Sequence, residues 1–309
     1  MAQTAELTEA GAAAARGSEA TVLKTVQSLG AVVGPSALIT ALLFYFGWAK
    51  TAAFCNYFGL NVSLLGLSTQ DYLLQSIHSV FIPLGEALIA GLLLLRVHRL
   101  ISLHLELRPD RPMWKWVTGL LVVSGVTAFA IGLAKYADPY PEDAVRILTP
   151  LSMMLGVGIF SYALLVDQRR RRTLSAAPRA PSASQGVPGL SVILVSMLIA
   201  IGLVWVVANY ADIKGQQEAR FVYGQLHFQP GVVVYSVKRL QIAATGVHET
   251  KFPEPDSAYG FRYDGLKLLF HSNGRYFLIP EMWSPSDGTT IVLRDNDSMR
   301  LEFLHYRTG

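Results

Sequence analysis

A single carboxylate interrupts one of the most apolar stretches of the chain: Glu86, in "SVFIPLGEALIAGLLLL". At mid-bilayer an ionised side chain costs on the order of 2.5 to 3.5 kcal/mol on insertion scales, so such a group is protonated, paired or wet. Counting back along a helix, Ser79, Gln75 and Asp71 precede Glu86 at intervals of seven, four and four residues. That spacing puts all four on one face, with His78 beside them. Pro83 shares the face and frees the carbonyl of Ser79 from its usual bond. Two chemistries suit the row. One is a hydrated crevice ending at a titratable carboxylate, as a permease or channel component would need. The other is a polar seam between helices, with Glu86 bonded to Ser124 or Thr127 or reached by Lys135. No second charge within the apolar stretches continues a pathway, which favours the seam.

No other constellation carries chemistry. His227, His248, His271 and His305 stand about twenty residues or more apart with no cysteine among them, which is not a metal-ligand spacing. "RDNDS" is half of a calcium loop without its glycine and distal glutamate. Serine elbow, Walker loop, dinucleotide fingerprint and HExxH are missing. The sequence therefore calls for no catalytic residue, no cofactor and no metal, and leans away from an enzyme.

The elements that would position Glu86 follow from composition. Of 309 residues, 51% are apolar and only 16% charged, a membrane-protein balance. About 20 apolar residues cross roughly 30 Å of hydrocarbon, and five stretches qualify, near 30–48, 76–95, 115–134, 147–166 and 189–209. The first follows a tail with more acid than base and ends in "FYFGW", which fits a retained span better than a cleaved signal peptide. Cys55, the single cysteine, allows no intramolecular disulfide.

Charge orders the spans. Arg96, Arg99, Arg108, Arg111 and Lys115 cluster between the second and third, against Glu106 and Asp110. Arg169, Arg170, Arg171, Arg172 and Arg179 follow the fourth, against Asp167. The alternate connectors lack this excess. Basic connectors stay on the cytoplasmic side, so five spans place the N-terminus inside and the C-terminus outside. The arginine run abuts a span and leads into a Pro, Ser and Ala linker at 173–188, which is not a nucleic-acid-binding face. Attraction to anionic head groups, about 1 kcal/mol per charge near the surface, is a by-product.

Residues 1–29 read as a mobile cytoplasmic tail, 30–209 as the five-span bundle and 212–309 as an extracytoplasmic β domain. In the connector after the first span, Trp48, Tyr57, Phe58 and Tyr72 suit the water–lipid boundary. Ser68 with Asp71 marks a helix start there. Small residues four apart (Ser124, Ala128 and Gly132; Ala87 and Gly91; Ser152 and Gly156) mark helix contacts. After Tyr210, short runs rich in Val, Ile, Tyr and Phe predict five or six mainly antiparallel strands in a small barrel or sandwich. Asn273-Gly274 supplies a hairpin turn and Asp295 to Ser298 a second. Tyr276, Phe277 and Trp283 form either an exposed aromatic set or core.

The stretches "FYFGWAKTAAFCNYFGLNVSLLGLSTQDYLLQS", "YGFRYDGLKLLFHSNGRYFLIPEMW" and "IVLRDNDSMRLEF" resemble multi-pass membrane proteins of actinobacteria. The resemblance covers the first two spans and most of the β domain. It implies a bacterial plasma membrane and transfers no functional residue. The expected role is display of an interaction or sensing domain in the cell envelope, with an envelope protein or glycan as partner besides the lipid bilayer. The alternative is the permease built on Glu86.

Overall fold

The computed structural model describes residues 36–108, 110–136, 142–174, 186–254 and 257–305, apart from the side chains of His78, Arg172 and 186–190. The tail 1–29 and most of the linker 173–188 lie outside these residues. Five helices are long and apolar enough to cross a membrane: α1 (Ser36–Tyr57), α2 (Thr69–Leu107), α3 (Met113–Tyr136), α4 (Asp143–Leu174) and α5 (Gly186–Gly224). Two 3-10 turns, Val62–Leu65 and Leu226–Phe228, lead into α2 and the sheet.

Local signals decide several boundaries. α2 starts where Ser68 and Asp71 close a capping box, the Asp71 amide donating to Ser68 Oγ at 3.3 Å and the Ser68 amide to Asp71 Oδ2 at 2.8 Å. α3 and α4 pack backbone to backbone because Gly125, Gly132 and Gly156 lie in their seam. A Cβ on Gly156 would stand 2.7 Å from the Gly125 carbonyl oxygen. The expected stripe on these two helices is thus in contact, with Gly125 at the seam and Ser124 exposed. Gly91 meets nothing within 4 Å.

Outside the spans the helices do not stop. α5 runs on to Gly224, through residues 212–224 that composition assigned to the β domain. Its polar residues reported the end of the hydrocarbon, which is not the end of a helix. Ala211, Ile213 and Ala219 are buried along this extension. Gly215 sits between Ala211 and Ala219, and a Cβ there would fall 2.2 Å from the Lys50 carbonyl oxygen on α1. Towards α2, a Cβ on Gly47 would fall 2.0 Å from the Tyr72 carbonyl oxygen. Small residues therefore clamp α1 between its neighbours.

The C-terminal sheet is antiparallel and six-stranded: β1 (Gly231–Ser236), β2 (His248–Lys251), β3 (Phe261–Ser272), β4 (Arg275–Pro280), β5 (Ile291–Arg294) and β6 (Met299–Leu304). Its order is β5-β4-β3-β1-β6, with β2 paired to the first half of β3. Asn273 (φ 50°) and Gly274 (φ 63°) make the tight β3–β4 turn, as both positions need the left-handed region. Asp295 to Ser298 does not make a hairpin, because β5 and β6 are opposite edges. In a flat sheet those edges would stand four strand spacings apart, about 19 Å. The link is itself a turn, with the Met299 amide donating to the Asn296 carbonyl at 3.2 Å, so the sheet has to coil. Tyr276 on β4 and Phe303 on β6 accordingly meet at 6.3 Å. It is one coiled, open sheet, neither a closed barrel nor a sandwich.

Both faces are covered. Inside the coil, Val232, Val234, Tyr263, Leu266, Leu278 and Leu293 form one core. The other face rests on the helix ends: Ile279 and Trp283 join Phe58, Ala219 and Leu226, while Phe277 joins Cys55, Leu60 and Leu65. This explains "RYFLIP" on β4, apolar on consecutive positions because a strand buried on two sides has no wet face. Phe277 and Trp283 are therefore core, not an exposed aromatic set, and Tyr276 packs against the inner cluster. Phe58 likewise leaves the lipid boundary for this junction, and Tyr72 is buried between α2 and α1, edge-on to the Phe44 ring with centroids 5.7 Å apart. The chain is an α-helical polytopic membrane protein whose β sheet is seated on its helices.

Candidate functional site

Seating the sheet leaves a cavity of about 450 Å³ between it and the helix ends. Its walls are the last turns of α1, the first turns of α2 and the extension of α5; β3 forms the roof. Volumes of roughly 300 to 1,000 Å³ are usual for small-molecule sites.

Each polar wall residue is held by the fold. Lys50 of α1 pairs with Glu218 of α5, Nζ to Oε2 at 2.7 Å, across the seam that Gly215 makes possible. The ammonium side is 16% exposed and the carboxylate 48%, so the cation is the inner partner. Thr51 Oγ1 lies 2.8 Å from the Gly47 carbonyl and 2.7 Å from Gln75 Oε1 of α2. A hydroxyl carries one hydrogen, so if Thr51 donates to Gly47, turning the Gln75 amide over lets its NH2 donate to Thr51 and satisfies all three groups. From the roof, Ser272 Oγ donates to the Leu65 carbonyl at 2.7 Å and His271 lies against Tyr276, ring centroids 4.4 Å apart. Thr290 Oγ1 donates to the Phe58 carbonyl at 2.7 Å, a second tie between sheet and helix end. Phe54, Leu67, Val222, Leu269 and Phe270 supply the apolar surface. The arrangement offers one ammonium, amide and hydroxyl groups, an imidazole and an apolar wall, which suits a small amphipathic molecule bearing acceptor groups.

The row read from α2 is split by this geometry. Gln75 lines the cavity. Asp71 lies one turn earlier and is spent on the capping box, where the Ser68 backbone amide, then its hydroxyl, hold the carboxyl below the usual carboxylate range. Ser79 is half-buried, and the side chain of His78 lies outside the described residues. Glu86 is eleven residues beyond Gln75, about 16 Å along the axis, and does not line the cavity. It stands seven residues into the Ser79–Leu107 span, within electrostatic reach of Tyr210. Its carboxylate is exposed and makes no hydrogen bond or ion pair among the described residues, so none joins it to Ser124, Thr127 or Lys135.

The topology arginines gather at the far end of the helices. Arg96, Arg99, Arg108 and Arg111 are exposed there. Arg169 donates to Ser102 Oγ at 3.3 Å, Arg171 pairs with Asp167 at 2.7 Å, and Arg170 is buried. The side chain of Arg172 is not among those described. The Trp114 indole donates to the Arg108 carbonyl at 3.1 Å and fixes the α2–α3 turn.

Lys50, Thr51 and Glu218 escaped notice in the sequence because they are far apart and individually ordinary, and His271 reads there only as a candidate metal ligand. One signal was present: Ala211, Gly215 and Ala219, spaced by four, show that α5 continues as a packed helix beyond the apolar run and brings Glu218 with it. The chain matches no family model, no curated protein and no solved structure.

Proposed function

We propose that the protein is a multi-pass plasma-membrane protein of the bacterial cell envelope whose extracytoplasmic sheet senses or binds a small amphipathic envelope component in the cavity at its seat. One observation carries this reading: an occupant would touch β3 and three membrane helices together, so binding at the sheet acts directly on the bundle. The orientation is supported by the basic residues. Arg96, Arg99, Arg108, Arg111 and the run beginning at Arg169 all lie on the segments opposite the sheet, the side that positive charge holds in the cytoplasm.

Orientation is checked with an impermeant thiol reagent on intact cells. Cys55 is fully buried and gives no background. A cysteine at the exposed Ser286 is expected to react from outside and one at Arg171 only after lysis; the reverse pattern removes the envelope assignment. Binding is checked on the full-length protein in detergent, by thermal shift against soluble glycan fragments and short-chain amphiphiles. A cavity ligand raises the Tm of the natural protein but not of Leu269→Trp, which fills the space. Equal shifts for both proteins, or none for any compound, would sink the proposal. Glu86 stands apart from the cavity, so Glu86→Gln is expected to leave this binding unchanged.

A further inference from the structure

At the arginine end, α2 and α4 stand apart around a second cleft of about 340 Å³. We infer that this cleft binds the phosphate head group of an acidic membrane phospholipid. The site does not depend on which compartment that end faces or on what occupies the cavity under the sheet.

The cleft is divided as a phospholipid is divided. Its floor is apolar, with Leu105 and Val166 buried and Ile101 and Leu165 on the flanks. Its rim is polar. His98 Nδ1 meets the Tyr162 hydroxyl at 3.0 Å, and the other ring nitrogen has no hydrogen-bond partner among the described residues. The Arg169 guanidinium makes one long bond, to Ser102 Oγ at 3.3 Å, out of five possible donors. A planar fork with donors to spare is the group that grips phosphate oxygens in pairs.

Carboxylates that could satisfy Arg169 instead are engaged or turned away. Asp167 is bonded to Arg171 at 2.7 Å, and Glu106, although one turn beyond Ser102, is exposed and does not line the cleft. Arg96 and Arg99, exposed and without an ion pair among the described residues, add positive charge on the same stretch of α2, so the local field favours an anion.

A lipid fits better than a free anion because the apolar path continues out of the cleft. One turn from His98 towards the middle of the span, Leu94 is 68% exposed, and one turn further a Cβ on Gly91 would meet nothing within 4 Å. The window of α2 that contains them has no residue buried inside the protein. An acyl chain lying along that face keeps the head group at the level of Arg169.

The test uses the full-length protein in an uncharged detergent, with bound lipid counted by native mass spectrometry. Phosphatidylglycerol is expected to bind at least about tenfold more tightly than phosphatidylcholine of the same chains. Arg169→Gln should weaken phosphatidylglycerol by about tenfold, whereas Arg171→Gln, the same charge loss outside the cleft, should change it less than about twofold. Leu165→Trp, which fills the cleft and keeps every charge, should also abolish the preference, and it carries the test if Arg169→Gln fails to assemble. Equal losses in the two arginine variants would reduce the effect to bulk charge and overturn the site. So would equal binding of the two lipids, or displacement by millimolar inorganic phosphate, which would make the ligand a free anion.

Discussion

The two ends of the helices are built in opposite ways. At the sheet end, Gly47 and Gly215 bring three helices into backbone contact and a coiled sheet sits on top, and charges are matched within the protein. Lys50 answers Glu218, and Arg146 on α4 answers Asp212 on α5, with Asn209 Nδ2 donating to the Arg146 carbonyl at 2.6 Å. At the arginine end, the His98–Tyr162 and Arg169–Ser102 bonds join α2 and α4 across an open cleft, and base exceeds acid. Internal pairing makes one end a rigid scaffold. Surplus charge makes the other dependent on what surrounds it.

That contrast is broken most easily at Phe277, whose side chain is fully buried between sheet and helix ends. Phe277→Ala is expected to cost about 3 to 5 kcal/mol and to unseat the sheet. Hydrogen exchange should rise in β4 and in the extension of α5 while α3 and α4 keep their protection, since their glycine seam lies elsewhere. Uniform loosening of all helices would show that the two ends are one cooperative unit. A smaller effect is expected at Asp212. Its pair with Arg146 is about one-third exposed, so screening limits the coupling to about 1 kcal/mol. A double-mutant cycle of Arg146→Met and Asp212→Asn, read by thermal unfolding in detergent, measures it. Zero coupling would mean that α4 and α5 are held by packing alone.

Much of this architecture is legible in the sequence. Apolar runs of about twenty residues located all five helices, and the capping pair Ser68 and Asp71 located the start of α2 to the residue. The Asn273-Gly274 turn and five of the six strands followed from local rules, because turns and alternating strands are decided by neighbours in sequence. What stayed hidden was decided by tertiary covering. Phe58, Phe277 and Trp283 are aromatic residues that would suit an interface equally well, and only the seating of the sheet buries them. β2, "HETK", has no apolar alternation and exists through its backbone pairing with β3. The cavity draws on residues up to 222 positions apart, from Lys50 to Ser272, so no spacing could announce it.

The smallest effect concerns acid. Asp71 is only partly buried, yet the Ser68 amide and hydroxyl hold its carboxyl below the ordinary carboxylate range. A carboxylate whose value is depressed by folding contributes stability that is complete above its unfolded value, about 4, and disappears as pH falls through the folded one. The N-terminus of α2 should therefore stay closed at neutral pH and fray only below about pH 4, with protection of the Asp71 and Tyr72 amides falling first. These two amides donate to Ser68, the first to its hydroxyl and the second to its carbonyl. In Asp71→Asn the neutral side chain cannot be protonated, so protection there should be lower from the outset and flat across the same range. If the arginine end loosens instead in that window, acid sensitivity belongs to the open end of the molecule, and the division between a self-paired end and an exposed one fails at its simplest electrostatic test.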